Sequence, residues 1–271
     1  MTGAIAVPIE RDVAVVEGPD AGKYLQGQLS QDIDAIDVGG WAWSLLLQSG
    51  GKIDAWVRVH RPAVDRYELD VEPGAAAAVV ARLQRFLIRT DAAVTTSGRS
   101  MTAVRGVPMG EPSADRAPIL WPGVDGYDAV GPAPDGVAAG TPEDLEAVRV
   151  GSGAPAMGAE LTADVIPAEV GTWFVDGSAS FTKGCYVGQE LVARVDSRGN
   201  NTPRNLSVLE LARPVAVGSD VVADDGKVVG TLTSVSGEVG LAYLHRSVAE
   251  DAALTVTAPD GGSVAVRVRP G

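Results

Sequence analysis

Short apolar runs, many of them β-branched, set the texture of the N-terminal part of the chain. Asp12–Val16, Trp43–Leu47, Ala55–Val59 and Tyr67–Val71 each read as a strand. Between the first two, Gly18-Pro19-Asp20 opens a helix that runs through Lys23–Gly27, with Pro and an acid where a first turn favours them. Ser49-Gly50-Gly51-Lys52 separates two of the apolar runs and predicts a hairpin. From Gly74 to Arg89 the period changes to that of a helix, with Val79, Leu83, Phe86 and Leu87 on one face.

A Pro- and Gly-rich stretch spans residues 106–140, with strand-like pieces at Ile119–Trp121 and Tyr127–Val130. Thr141-Pro142-Glu143-Asp144 then predicts a helix to about Val150: a hydroxyl cap, Pro in the first turn, and acids at the positive end of the dipole. Gly151-Ser152-Gly153 stops it, and an irregular region leads through Ile166-Pro167. Val187, Leu191 and Val195 mark one face of a further short helix, with Glu190 and Arg194 four apart as an ion pair.

Beyond Pro203 the pattern is all-β: Leu206–Leu211, Val221–Val222, Val228–Val235, Leu241–Leu244, Leu254–Thr257 and Val264–Val268. Asp225-Gly226 and Asp260-Gly261-Gly262 supply hairpin turns. The chain therefore reads as α+β, with one region at 1–98, a second at 99–200 and a small β-barrel at 201–271.

The net charge of −13 over 271 residues changes the picture of partners. Such a surface repels phosphate backbones, and no basic cluster offsets it, so direct nucleic-acid binding is not expected. A single cysteine excludes an internal disulfide and fits a reducing compartment. The first residues lack a signal peptide's pattern, and the longest apolar run, Ala75–Ala81, is too short to cross a membrane. The expectation is a soluble, cytoplasmic protein.

Chemistry concentrates in Lys183-Gly184-Cys185-Tyr186-Val187-Gly188-Gln189-Glu190. An ammonium two residues away and a following helix would both stabilise a thiolate at Cys185, and the two glycines would admit a ligand close to the backbone. Taken alone, the same residues also describe a buried small hydrophobe beside a solvated lysine. Gly18–Lys23 is one residue short of a phosphate loop and reads as a helix cap. His60 and His245 stand in no metal-ligand spacing, so no metal is expected.

This octapeptide, continued by Ala193-Arg194, resembles the signature of the YgfZ-type folate-binding proteins, relatives of the glycine-cleavage T-protein (aminomethyltransferase) and of the mitochondrial iron–sulfur assembly factor. Gly18–Asp32, Ser49–Asp54, Arg149–Pro155 with Ile166-Pro167, Val229–Ser234 and Gly240–His245 resemble further family blocks. The resemblance implies three subdomains in a ring around a central channel that holds tetrahydrofolate. It implies an accessory role in iron–sulfur cluster assembly or repair, with iron–sulfur proteins as partners and an indirect effect on tRNA modification. By position, Cys185 and Lys183 are the implied reactive residues, beside the folate. Asp54, Lys183, Gly184, Tyr186 and Gln189 are the implied folate contacts.

Two departures bear on activity. The T-proteins' paired acids in the first hairpin are represented here by Asp54-Ala55, and the pterin-recognising Glu before the family's "A-G" is represented by Gly151. Asp54 reads equally as a pterin contact and as a solvated turn acid. A folate-dependent aminomethyltransferase or demethylase, and a non-enzymatic interaction module with a vestigial channel, are the alternative functions.

Overall fold

The computed structural model describes residues 3–111, 113–249, 251–257 and 261–270. Asp260, expected in a hairpin turn, lies outside the described residues. In chain order the first body comprises β1 (Ile5–Glu17), α1 (Ala21–Gln28), β2 (Trp41–Leu47), β3 (Ile53–Ala63), β4 (Arg66–Val71), α2 (Ala76–Gln84), β5 (Ala93–Arg105), β6 (Arg116–Pro118), β7 (Gly126–Ala129) and β8 (Ala138–Ala139). Its strands form one sheet in the order β2-β3-β4-β1-β5-β7-β6, with β8 parallel to β1.

The expected division at residue 98 falls inside β5, which pairs antiparallel with β1 from Ile5↔Arg105 to Glu17↔Ala93. No boundary can lie there, because cutting the strand would expose a row of ladder hydrogen bonds.

Side chains alternate across a strand, so the sheet has two distinct faces. Ala14, Val16, Leu46, Val57, Val59, Leu69 and Val71 point to one face, where they pack with Leu25 of α1 and with Val79 and Leu83 of α2. The Tyr24 hydroxyl ties the two helices by donating to the Leu83 carbonyl at 2.6 Å. α2 is shorter than its periodicity predicts. It stops at Gln84, and Phe86 lies 45% exposed with the Arg82 guanidinium 4.2 Å from its ring centre.

The opposite face meets the rest of the chain. After β8 come α3 (Pro142–Ser152), α4 (Pro167–Val170), α5 (Thr172–Ser178) and α6 (Gln189–Asp196). The start signal of α3 forms as a capping box: Thr141 N–H donates to the Asp144 carboxylate (2.9 Å), and Asp144 N–H donates to the Thr141 hydroxyl (3.2 Å). Gly153, at φ +80°, closes the helix. Leu45, Leu47, Ile53 and Trp56 of the sheet join Phe174, Val175, Val192 and Tyr243 in a second core.

β9 (Arg204–Leu211), β10 (Asp220–Ala223), β11 (Val228–Ser236), β12 (Val239–His245), β13 (Leu254–Thr257) and β14 (Ser263–Val268) close into a barrel in the order β10-β11-β12-β9-β14-β13. The barrel holds its own apolar core around Leu209, Leu232, Leu244 and Val256. No described helix is long and apolar enough to cross a membrane.

Candidate functional site

Where the second face of the sheet meets α3, a cavity of about 360 Å³ opens. Val7, Ile9 and Arg11 of β1 reach it from alternate positions of one strand. Trp43, Trp56 and Trp121 give it an aromatic wall; Arg105 and Arg149 bring cations, and Glu10, Glu72, Asp128 and Glu146 bring carboxylates. The indoles of Trp43 and Trp56 stack at 4.0 Å between centroids. Each ring is fixed by its N–H: Trp43 donates to the Pro118 carbonyl (2.9 Å) and Trp56 to the Ser178 hydroxyl (3.0 Å).

Behind this wall runs a buried ionic network. Arg58, wholly buried, donates to Asp128 (2.8 Å) and Asp70 (3.1 Å), and Asp70 in turn pairs with Arg11 at 2.7 Å. Arg105 pairs with the other oxygen of Asp128 at 2.9 Å and lies over the Trp121 ring at 4.3 Å. Burial by itself would raise the Asp128 pKa; the Arg105 and Arg58 charges outweigh it and hold the carboxyl at about 2. A single buried charge would be costly here, but each charge of the chain has an opposite charge beside it.

Glu72 sits at the end of β4, half-buried on the cavity wall. Its Oε2 accepts from Met157 N–H at 3.1 Å. Burial raises its pKa above the ordinary carboxylate value, against the opposing pull of Arg11 and Arg149.

The octapeptide lies elsewhere. None of the residues lining the cavity belongs to Lys183–Glu190. Lys183 does not line this cavity; its Nζ donates to three carbonyls at the end of α1, those of Gln26 (2.7 Å), Leu29 (2.8 Å) and Gln31 (2.7 Å). Its three N–H bonds are thereby spent on pinning the loop rather than on Cys185. Burial lowers its pKa to about 8. Cys185 is exposed, and α6 begins only at Gln189, so the sulfur does not sit at the helix mouth. Gly184 is exposed with open space around it. Tyr186 is buried in the second core, and Gln189 turns back so that its side-chain oxygen accepts from Tyr186 N–H at 3.1 Å. Neither Tyr186 nor Gln189 reaches the cavity as a folate contact would, because packing and local hydrogen bonding consume both.

Asp54 is also turned away. The β2–β3 register passes from Leu46↔Ala55 to Leu47↔Ile53, which leaves Asp54 as the extra residue of a bulge. Its carboxylate pairs with Arg82 of α2 at 3.3 Å, on the face opposite the cavity. Gly151 does not line the cavity either; its carbonyl accepts from Arg269 at 2.7 Å beside the barrel. In α6, Val192 is the buried residue, Val187 precedes the helix, and the expected partners Glu190 and Arg194 are both exposed.

The cavity's charged residues were missed, although a signal for them stands in the sequence. Tyr67-Glu68-Leu69-Asp70-Val71-Glu72 alternates strictly, which puts three carboxylates on one face of a strand. On β3, Arg58 and His60 lie directly opposite Asp70 and Glu68. Polar and charged residues alternating through two neighbouring apolar strands mark a polar sheet face.

Comparison with known proteins agrees with this architecture. Residues 204–271 match the family model described as CAF17, C-terminal beta-barrel domain. The tRNA-modifying protein YgfZ of Yersinia pseudotuberculosis is 27% identical over 301 aligned residues, covering 95% of this chain and 89% of the relative. A putative chloroplastic transferase of Arabidopsis thaliana is 37% identical over 110 residues, 38% of this chain and 24% of the relative. The crystal structure of the glycine cleavage system aminomethyltransferase T from Bartonella henselae superposes with a TM-score of 0.81 at 19% identity, covering 99% of this chain and 86% of that one. The shared fold, the matched barrel and the near full-length YgfZ likeness together support one reading, a GcvT-like protein of the YgfZ/CAF17 type.

Proposed function

We propose that the chain binds a tetrahydrofolate in the central cavity and acts as an accessory protein for iron–sulfur cluster assembly or repair. The observation that carries the folate half is the stacked Trp43–Trp56 pair beside Arg11, Arg105 and Arg149 in a cavity of about 360 Å³. That volume is within the range of small-molecule sites. A flat pterin suits an indole wall, and the carboxylates of a folate tail suit arginines. Bound folate would bring one-carbon and redox chemistry; the residues here bind it, orient it and keep water from it.

The iron–sulfur half rests on the YgfZ and CAF17 likeness and on Cys185, whose surface sulfur a client's iron or persulfide can reach. The acidic chain argues for an indirect route to tRNA, through enzymes that carry such clusters.

Titration with 5-formyltetrahydrofolate, followed by tryptophan fluorescence and calorimetry, tests the first half. Saturable quenching is expected, and absence of binding at millimolar ligand would overturn it. For the second half, wild type is expected to restore iron–sulfur enzyme activity in a bacterium lacking its YgfZ-type protein. Cys185→Ser should not; full rescue by that variant would refute the role.

The likeness to an aminomethyltransferase favours a second reading, tetrahydrofolate-dependent one-carbon transfer. The bulge that turns Asp54 toward Arg82 removes the acid matched to that chemistry. Production of methylenetetrahydrofolate from an aminomethyl donor would restore this reading.

A further inference from the structure

Four carboxylates line the cavity, and their partners distinguish them. Both oxygens of Glu146 are held by Arg149, at 2.7 and 2.6 Å. Both oxygens of Glu10 accept from the Ser100 hydroxyl, at 2.8 and 3.0 Å, and Glu10 lies exposed at the rim. Asp128 is divided between Arg58 and Arg105. Glu72 alone is half-committed: Oε2 accepts from Met157 N–H, and no described residue donates to Oε1. It shares the cavity wall with the stacked Trp43–Trp56 pair.

A carboxylate with an open oxygen, beside an aromatic wall, is suited to a flat heterocycle that presents two adjacent N–H donors. We infer that Glu72 recognises the 2-amino-4-oxo edge of the pterin, as the acid that reads the ring in this chain. The inference rests on the folate reading above and deepens it. Gly151, the position where the family resemblance would place such an acid, lies off the cavity, whereas Glu72 arrives from the end of β4. Arg11, Arg149 and Glu160 are the charged groups that act on Glu72. Burial and Glu160 raise its pKa, while Arg11, the Met157 N–H and Arg149 pull toward the ionised, accepting form.

The test compares 5-formyltetrahydrofolate, the pterin fragment 6-methylpterin and the tail fragment p-aminobenzoylglutamate on wild type and Glu72→Gln. The glutamine keeps an oxygen for Met157 N–H but turns a donor toward the donors of the ring. Folate and 6-methylpterin are expected to bind roughly ten to a hundredfold more weakly to the variant, with the tail fragment unchanged. Wild-type binding of folate with equal binding by Glu72→Gln would overturn the inference and leave the folate reading standing. No folate binding by wild type would overturn both. Should the variant fail to fold, wild type alone decides: 6-methyllumazine, with oxygen in place of the 2-amino group, is expected to bind at least about tenfold more weakly than 6-methylpterin. Equal affinity for the two would overturn the assignment.

Discussion

The ammonium of Lys183 lies 2.7 Å from the carbonyl oxygen of Gln31, a residue of the segment that follows α1. Together with its bonds to Gln26 and Leu29, this contact anchors the cysteine-bearing loop to the sheet domain. Val187 N–H, donating to the Gly27 carbonyl at 3.2 Å, adds a second attachment. Lysine in this signature holds the loop in place.

Lys183→Met removes three charge-assisted bonds and leaves their carbonyls without that donor. A loss of about 1.5–3 kcal/mol is expected, with faster amide exchange in residues 180–188. Exchange unchanged in that segment would contradict the anchoring role. Because burial holds the folded Lys183 pKa at about 8, below the ordinary lysine value of 10.5, the unfolded chain binds more protons between those values. This group therefore makes stability rise with pH across that window. Denaturant titrations should show the rise in wild type relative to Lys183→Met, and identical pH profiles would refute it.

Cys185 is expected to react with one equivalent of a thiol reagent in the native protein, without denaturant, since its side chain is exposed. Cys185→Ser should melt within about 0.5 kcal/mol of wild type. A thiol that labels only after unfolding would place the sulfur inside.

Asp128→Asn breaks the buried network on both sides, leaving Arg58 and Arg105 short of a counter-charge. The expected cost is about 3–5 kcal/mol, read by chemical denaturation. The acid limb follows from the same contacts. The folded pKa of Asp128, about 2, lies below the ordinary aspartate value of 3.8, so its stabilisation is present above 3.8 and is lost as pH falls through about 2. Glu68, hydrogen-bonded by His60 and facing Arg99, is likewise held at about 2 and contributes in the same direction. Wild type should therefore lose stability steeply below pH 4, and Asp128→Asn less steeply; parallel acid limbs would count against the network.

Gly188→Ala tests how the loop seats on the hairpin. Gly188 has φ +85°, and a Cβ there would come within 2.5 Å of the Gln48 carbonyl oxygen and 2.8 Å of Leu47 Cβ. Strain and clash together predict a loss of at least about 1–3 kcal/mol, with altered reactivity at Cys185. A variant as stable as wild type would show that the loop does not need this approach.

Much of the fold was legible because its signals are local. Thr141-Pro142-Glu143-Asp144 specified a helix start through groups within one turn of each other, and the capping box formed as its chemistry requires. The barrel strands were legible for the same reason, through alternation and hairpin turns such as Asp225-Gly226. The octapeptide marked a loop by family likeness, yet it did not reveal where that loop sits. Asp54 shows the limit best: one residue of bulge sends its side chain to Arg82, and no periodicity in the sequence announces a bulge.

By itself the sequence determined the kinds of element, the acidic character, the lone thiol and the kinship, all properties of neighbouring residues or of composition. Only the tertiary structure decided which strand face became the cavity wall, that Glu72 lies on it, and that Lys183 is spent on backbone carbonyls while Cys185 stays in solvent. The reason is physical. A side chain's role depends on which partners distant segments bring within about 3 Å, and strand register and loop docking, not local preference, set those distances.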